Sequence, residues 1–348
     1  MDDDLCNITA VILAAGQGTR MKSRLPKVLH SIAGKPLVIH AIENVSAVIT
    51  EKPVLVVGCG SDQVRSVVGS RALYAEQTAQ LGTADALKAA RPALEGFEGL
   101  IVVVSADMPL FTTHTLHKLV DTQRSNPGVM TMLSVRLDDP HGFGRVVRKT
   151  DGSVAAIVEE AQADAKTLAI QELNVGAYCF RSDWIWGALD RIKVSPKGEY
   201  YLTDTVELAV SEKKRVECLL VDDPQEAIGI NTRVHLAEAE AILRRRINQA
   251  WMLAGVTLRD PETTYIDQDV QLSRDTIIHP DCHLTGSTRV GPGCEIGPFS
   301  VLSNEVVGEN CGAGPHAVLR NIQLDANQVV RFCIMNGTGD IEIQHQHY

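Results

Sequence analysis

Between Ile278 and Val330 an apolar residue returns every six positions: Ile278, Leu284, Val290, Ile296 and Leu302, then, after a one-residue slip, Val307, Ala313 and Leu319, then Leu324 and Val330. Neither the 3.6-residue turn of an α-helix nor the two-residue alternation of a strand produces that period. It fits a parallel β-helix, in which each short flat strand sends one apolar side chain inward. Small residues follow four positions later at Cys282, Thr288, Cys294, Ser300, Cys311 and Ala317, and Gly291-Pro292 and Gly297-Pro298 supply corners. If a coil takes three hexapeptides, about three coils fit the span. Stacked coils leave a side or an end uncovered, so association of copies is expected, as a trimer.

The first two-thirds of the chain obeys a different rule. Apolar β-rich runs at Ile8 to Leu13, Val54 to Val57, Leu100 to Val104 and Val129 to Val135 alternate with helical patterns near Leu37–Ile49, Ala84–Leu94 and Leu116–Arg124. This alternation predicts an α/β domain with a mostly parallel sheet covered by helices on both faces, and ligands on such sheets bind beyond the carboxyl ends of the strands. From Thr232, a candidate N-cap, Leu236, Ala239, Leu243, Ile247 and Trp251 recur at helical spacing until Gly255 and Pro261. That helix is expected to connect the domains, with Arg244-Arg245-Arg246 on its solvated face. The expected division is 1–231, 232–260 and 261–348.

The strand Ile8 to Leu13 runs directly into Ala14-Ala15-Gly16-Gln17-Gly18-Thr19-Arg20-Met21. A small-residue turn at a strand end presents amides to an anion, and Arg20, Lys22, Arg24 and Lys27 place four cations close by. The guest predicted for such a turn is a polyphosphate. Met21 stands where the dinucleotide fingerprint needs its third glycine, and no Gly-Lys-Ser/Thr follows, so neither that fingerprint nor the Walker loop fits.

The longer pattern resembles the sugar-nucleotide pyrophosphorylases, and within them the bacterial N-acetylglucosamine-1-phosphate uridylyltransferases. It runs through Leu25-Pro26-Lys27-Val28-Leu29-His30, Gly34-Lys35-Pro36, Gln77-Thr78-Ala79-Gln80-Leu81-Gly82-Thr83, Asp107-Met108-Pro109-Leu110 and Gly142-Phe143-Gly144-Arg145. It continues in family order with Ile157-Val158-Glu159, Asn174-Val175-Gly176, Glu199-Tyr200-Tyr201-Leu202-Thr203-Asp204 and Gly229-Ile230-Asn231. The resemblance implies a Rossmann-like nucleotidyltransferase domain followed by a short left-handed β-helix of triangular section. It also implies transfer of UMP from UTP to N-acetylglucosamine 1-phosphate, a step in making cell wall precursors, with pyrophosphate leaving.

For that chemistry the nucleophile is a phosphate oxygen, already ionised near neutrality because a phosphomonoester's second pKa is about 6. No general base is needed, and none is recognisable. In-line positioning and charge neutralisation are what the reaction requires. By resemblance Arg20 lies on the leaving phosphates and Lys27 near the transferred phosphorus, both in catalytic roles, with Lys22 and Arg24 as spectators. Asp107 and Asn231 are the implied Mg²⁺ ligands, since magnesium commonly takes one or two protein oxygens and completes its shell from phosphate and water. Leu13, Ala14, Ala15, Gly16 and Gly18 are the implied nucleoside cradle. Gln77, Gly82 and Thr83 are expected to read the base, an amide having both a donor and an acceptor for its edge. Gly144, Glu159, Asn174, Tyr201 and Thr203 are placed by the resemblance on the sugar side.

Three departures from the family pattern stand out. Ser105-Ala106 replace a Tyr-Gly pair before Asp107, and the methyl of Ala106 is expected where backbone would approach the ligand. No basic residue follows Glu159 in Glu160-Ala161-Gln162. The hexapeptide array is short and ends in Gln344-His345-Gln346-His347-Tyr348, without a segment matching the family's acetyltransferase site, so that activity is not expected. The departures keep open another sugar 1-phosphate or nucleotide, such as glucose 1-phosphate or dTTP. A regulatory or scaffolding subunit is the third reading, opposed by Arg20, Lys27, Asp107 and Asn231 occurring together.

The formal net charge of -10 and a pI near 5.6 argue against nucleic-acid or anionic-membrane partners. Eight cysteines (Cys6, Cys59, Cys179, Cys218, Cys282, Cys294, Cys311 and Cys333) form no C-x-x-C pair, which predicts free buried thiols in a reducing cytoplasm. The acidic start Met1-Asp2-Asp3-Asp4 is unlike a secretory leader, and no apolar run has the length of a membrane span. His279, His283, His345 and His347 are expected as isolated surface residues rather than metal ligands.

Overall fold

In the computed structural model, residues 7–138, 140, 142–330 and 334–336 are described. Met1-Asp4, Cys6, Cys333, His345 and His347 lie outside them. The chain forms two compact units: one runs to His30 and then from Pro36 to His235, the other joins Ser31–Lys35 to the chain from Leu236 onward.

In the first unit the strands are β1 (Ile8–Leu13), β2 (Val54–Val57), β3 (Leu73–Glu76), β4 (Leu100–Ser105), β5 (Met130–Arg136), β6 (Gly144–Arg148), β7 (Val154–Val158), β8 (Glu172–Arg181) and β9 (Val216–Leu220). The main order is β9-β5-β8-β4-β1-β2-β3. β4-β1-β2-β3 are parallel, as are β5 and β9, whereas β8 runs antiparallel to β4, β5 and β6, and β6 pairs antiparallel with β7. The sheet is therefore mixed but mostly parallel.

Its central strands are buried on both faces, and their side chains divide by parity. Ile8, Ala10 and Ile12 of β1 and Leu100, Val102 and Val104 of β4 enter one core, with α1 (Leu37–Ser46), α2 (Ser61–Val68) and α4 (Thr113–Ser125) over it. Val11, Ile101 and Val103 enter the other, beneath α3 (Thr83–Ala89), α5 (Ser182–Leu189) and α6 (Asp204–Ser211). Buried two-sided strands need such continuous apolar runs, which is why β1 and β4 read so clearly in the sequence.

From Leu236 on, α7 (Arg233–Leu253) belongs to the second unit; its first turn is capped by Thr232 accepting from the His235 amide at 3.3 Å. Parallel strands then stack in columns of five, five and four. The interior is the predicted series Ile278, Leu284, Val290, Ile296, Leu302, Val307, Ala313, Leu319, Leu324 and Val330. A left-handed β-helix results. Its corners hold left-handed residues in register: Asp275, Gly293, Asn310 and Asn327 on one edge, Gly286, Asn304 and Asn321 on another. Glycine, asparagine and aspartate tolerate that conformation best.

Three expectations about this unit need correction. The stack holds more than three coils, because Thr257–Leu258 already pairs with Ile277–Ile278. That first coil escapes the six-residue pattern since its inward residues, Leu258, Ile266 and Leu272, are spaced eight and then six apart. Arg244 is not simply solvated: it is half-buried with its guanidinium 4.3 Å from the Tyr265 ring centroid. His279 and His283 are not isolated either, the first meeting Glu295 at 2.7 Å and the second stacking on Tyr265.

Cys179, Cys282, Cys294 and Cys311 are free and buried, Cys218 is half-buried and Cys59 is exposed. No helix among the described residues is long and apolar enough to cross a membrane.

Candidate functional site

β1 lies between β2 and β4 with Leu13 opposite both Val56 and Ser105. The chain leaves both strand ends at one edge, tied by Ala14 N donating to Val56 O and Ala106 N donating to Leu13 O, each at 2.9 Å. The connection leaving β1 runs to β2 on one side and the connection leaving β4 runs to β5 on the other, and such switch points are where open parallel sheets hold ligands. A cavity of about 440 Å³ occupies the place. Leu13, Ala14, Ala15, Gly16, Arg20, Lys27, Gln77, Gly82, Thr83, Asp107 and Tyr201 all line it.

The turn after β1 is shaped by two left-handed residues, Gly18 and Lys22, around a short 3-10 turn Thr19–Met21. Met21 is buried beneath it, while Arg20 is exposed and makes no ion pair among the described residues. Gly18 lies outside the cavity lining and serves packing: a Cβ there would sit 2.6 Å from Cβ of Lys27. Gly16, by contrast, has open space around it.

Lys27 opens a second 3-10 turn after Pro26. Its ammonium meets Oδ2 of Asp107 in a short ion pair and Oδ1 of Asn231 at 3.1 Å. The side chains of Lys27 and Asp107 are 11% and 19% exposed, so the charges face a partly dry recess. Ile230 N donates to Asp107 O at 2.8 Å, which brings Asn231 beside the aspartate. One cation and two hard oxygens are thus gathered at the cavity from distant parts of the sequence. Among the described residues no group of three or more His, Cys, Asp or Glu could hold a metal.

At the other end of the cavity Gln77 is 6% exposed. Its Nε2 donates to Gly82 O at 3.1 Å and to Oδ2 of Asp85 at 2.7 Å. The expectation that this amide offers donor and acceptor alike is thereby narrowed: its N–H groups are engaged and its carbonyl oxygen remains. Gly82, at φ +105°, lets two loops close on each other, since a Cβ would lie 2.5 Å from Tyr200 O. Tyr200 N donates to Leu81 O at 2.7 Å, Ala84 N to Tyr200 O at 3.0 Å, and Leu202 N to Oγ1 of Thr83 at 3.0 Å. The segment 77–83 and the segment 199–203 are consequently one hydrogen-bonded wall.

The sugar-side candidates are brought together in part. Thr203 Oγ1 donates to Oε1 of Glu159 at 2.8 Å, and Gly144 lies against the same carboxylate. Neither lines the cavity itself, whereas Tyr201 does. Asn174, paired across the sheet with Gly144, is turned to its own strand. Its Nδ2 donates to the Tyr178 hydroxyl at 2.8 Å and its Oδ1 accepts from Gly176 N, spanning the register shift between Asn174 and Tyr178. Asp204, next in the chain, is pushed up to about 6 by burial and by Glu207 and Glu159.

Ala106 does not line the cavity as expected. It is fully buried in the core, its methyl filling space behind β4, and Ser105 faces the cavity instead. The lining or wall residues not singled out in the sequence include Gln80, whose Nε2 donates to Ala15 O at 3.0 Å, Glu199, and Asp85 behind Gln77. The first two belong to quoted motifs, so proximity to those motifs was their only signal.

Residues 10–171 match a MobA-like NTP transferase domain. The chain is 41% identical over 305 residues to the bifunctional protein GlmU of Halalkalibacterium halodurans, covering 87% of this chain and 67% of that one. It is 44% identical over 300 residues to GlmU of Geobacillus thermodenitrificans, covering 86% and 65%, and 39% identical over 333 residues to GlmU of Shouchella clausii, covering 95% and 73%. The first two alignments span about two thirds of their relatives' length.

Proposed function

Because this chain belongs to the family of bifunctional GlmU proteins, we propose that its first unit transfers UMP from UTP to N-acetylglucosamine 1-phosphate, making UDP-N-acetylglucosamine and pyrophosphate. The observation that carries this reading is the convergence of Lys27, Asp107 and Asn231 at the cavity where β1 and β4 end. A sugar phosphate oxygen attacks the α-phosphorus of UTP, and the bond from that phosphorus to the αβ-bridging oxygen breaks. The electron pair leaves with pyrophosphate. Lys27 neutralises charge at the transferred phosphoryl group, and Arg20, exposed and without an ion pair among the described residues, reaches the leaving phosphates.

The residues present fit a divalent cation, proposed to be Mg²⁺. Asp107 and Asn231 supply two oxygens that already surround a positive charge, the Lys27 ammonium, and that donor set suits magnesium. When bound, the ion would offset phosphate charge. Leu13, Ala14, Ala15 and Gly16 form the nucleoside wall, with Gly18 supporting Lys27 from behind. Gly144, Glu159, Tyr201 and Thr203 form the sugar side, and Asn174 shapes the strand beneath it.

The cytoplasm is the proposed compartment. A homotrimer through the β-helix is the proposed assembly, consistent with the exposed apolar Phe299, Val306 and Val329 on that unit. Ser105 on the cavity favours one second reading, in which the same reaction uses another hexose 1-phosphate. Pyrophosphate release over a panel of nucleotides and sugar 1-phosphates, with magnesium and with EDTA, tests these readings. Release confined to UTP with N-acetylglucosamine 1-phosphate and abolished by EDTA is expected; none from any pair would refute catalysis.

A further inference from the structure

Asp85 neither lines the cavity nor belongs to the substrate-contacting set, yet it decides which end of Gln77 does. A carboxylate only accepts hydrogen bonds, and so does the Gly82 carbonyl. Held between them at 2.7 and 3.1 Å, the Gln77 amide must turn its NH₂ inward to the protein. Its Oε1 has no hydrogen-bond partner among the described residues, although the side chain lines the cavity. Without the Asp85 carboxylate the amide keeps only the longer Gly82 contact, and half a turn about its last bond presents a donor instead.

We propose that Asp85 is a positioning residue for base specificity, locking Gln77 so that the cavity offers an acceptor to the ring edge. A uracil-type ring presents an N–H there and satisfies it; cytosine presents a lone pair at the equivalent nitrogen and leaves two acceptors facing each other. The inference rests on the cavity being the nucleotide site. Asp85 also stands in the first turn of α3, where an acid stabilises the helix dipole, but that role alone would not touch base choice.

The test is calorimetric binding of UTP and of CTP, with magnesium and without sugar, to the full chain and to Asp85→Asn and Asp85→Ala. Asparagine keeps the volume but donates as readily as it accepts, so both variants are expected to lower the UTP-over-CTP affinity ratio by about tenfold or more. Circular dichroism melts check that each variant folds; if Asp85→Ala does not, Asp85→Asn alone decides. An unchanged ratio in the folded variants, or no preference in the unaltered chain, overturns the inference. Selective UTP binding lost in Asp85→Asn, with no pyrophosphate released from any sugar 1-phosphate, would uphold Asp85's role and refute the proposed reaction.

Discussion

Glu305 is fully buried inside the β-helix, at the coil level where the one-residue slip shortens the repeat between Leu302 and Val307. Its Oε2 accepts from the Ile322 amide at 3.0 Å, while its Oε1 has no hydrogen-bond partner among the described residues. Burial pushes its carboxyl from the ordinary 4.5 up to about 7, against a smaller lowering by the Ile322 bond. Because the folded-state value lies above the unfolded one, the carboxyl costs nothing below pH 4.5. Destabilisation grows as pH rises from 4.5 and is complete above about 7. A difference of about 2.5 units is worth roughly 3 kcal/mol at 1.36 kcal/mol per unit. Glu305→Gln keeps the shape and the acceptor facing Ile322 but never ionises. At pH 5 the variant should melt only a few degrees above the parent. At pH 8.5 the variant's β-helix should melt higher by about 12–24 °C, since 1 kcal/mol moves a domain of this size by about 4–8 °C. Thermal melts followed by circular dichroism from pH 5 to 9 give both curves, and other titrating groups cancel in the difference. Parallel curves at all pH values would refute the claim that an ionising carboxyl sits uncompensated in this core.

Lys27→Ala should cut pyrophosphate release by about 10² to 10³, the scale of removing one preorganised charge at a transition state. Its stability in urea should fall by about 1–3 kcal/mol, because the largely buried Asp107 carboxylate loses its partner; near-parental release would remove Lys27 from its role. Gly82→Ala forces a left-handed alanine into 2.5 Å contact with Tyr200 O, so the wall joining 77–83 to 199–203 must separate. The strain of about 1–3 kcal/mol should appear as a raised KM for both substrates, and steady-state kinetics with either one varied would expose an unaffected wall.

How much of this was legible beforehand differs by element. The β1 and β4 strands could be read because burial on two faces demands unbroken apolar runs, and their strand ends located the cavity through topology alone. The first β-helix coil was missed because the eight-residue step from Leu258 to Ile266 breaks the period that announced the rest. Segment Ser31–Lys35 gave no hint that it folds with the second unit. There Ala33 N donates to Glu240 at 2.8 Å and Lys35 meets Asp269 at 2.6 Å, contacts across two hundred residues that no local pattern encodes.

The sequence by itself determined periodicities and strand-end chemistry: a six-residue repeat, apolar runs ending in glycine and cations, and ordered motifs. Such features express local backbone preference and burial, which are properties of short windows. Only the tertiary structure decided which groups meet. Lys27 finds partners 80 and 204 positions away, Glu159 is bound by Thr203 44 positions on, and Asn174 turns to Tyr178 instead of the cavity. Gln77 faces as it does because Asp85 accepts its N–H, a constraint of pairwise geometry that appears only once α3 forms against the end of β3.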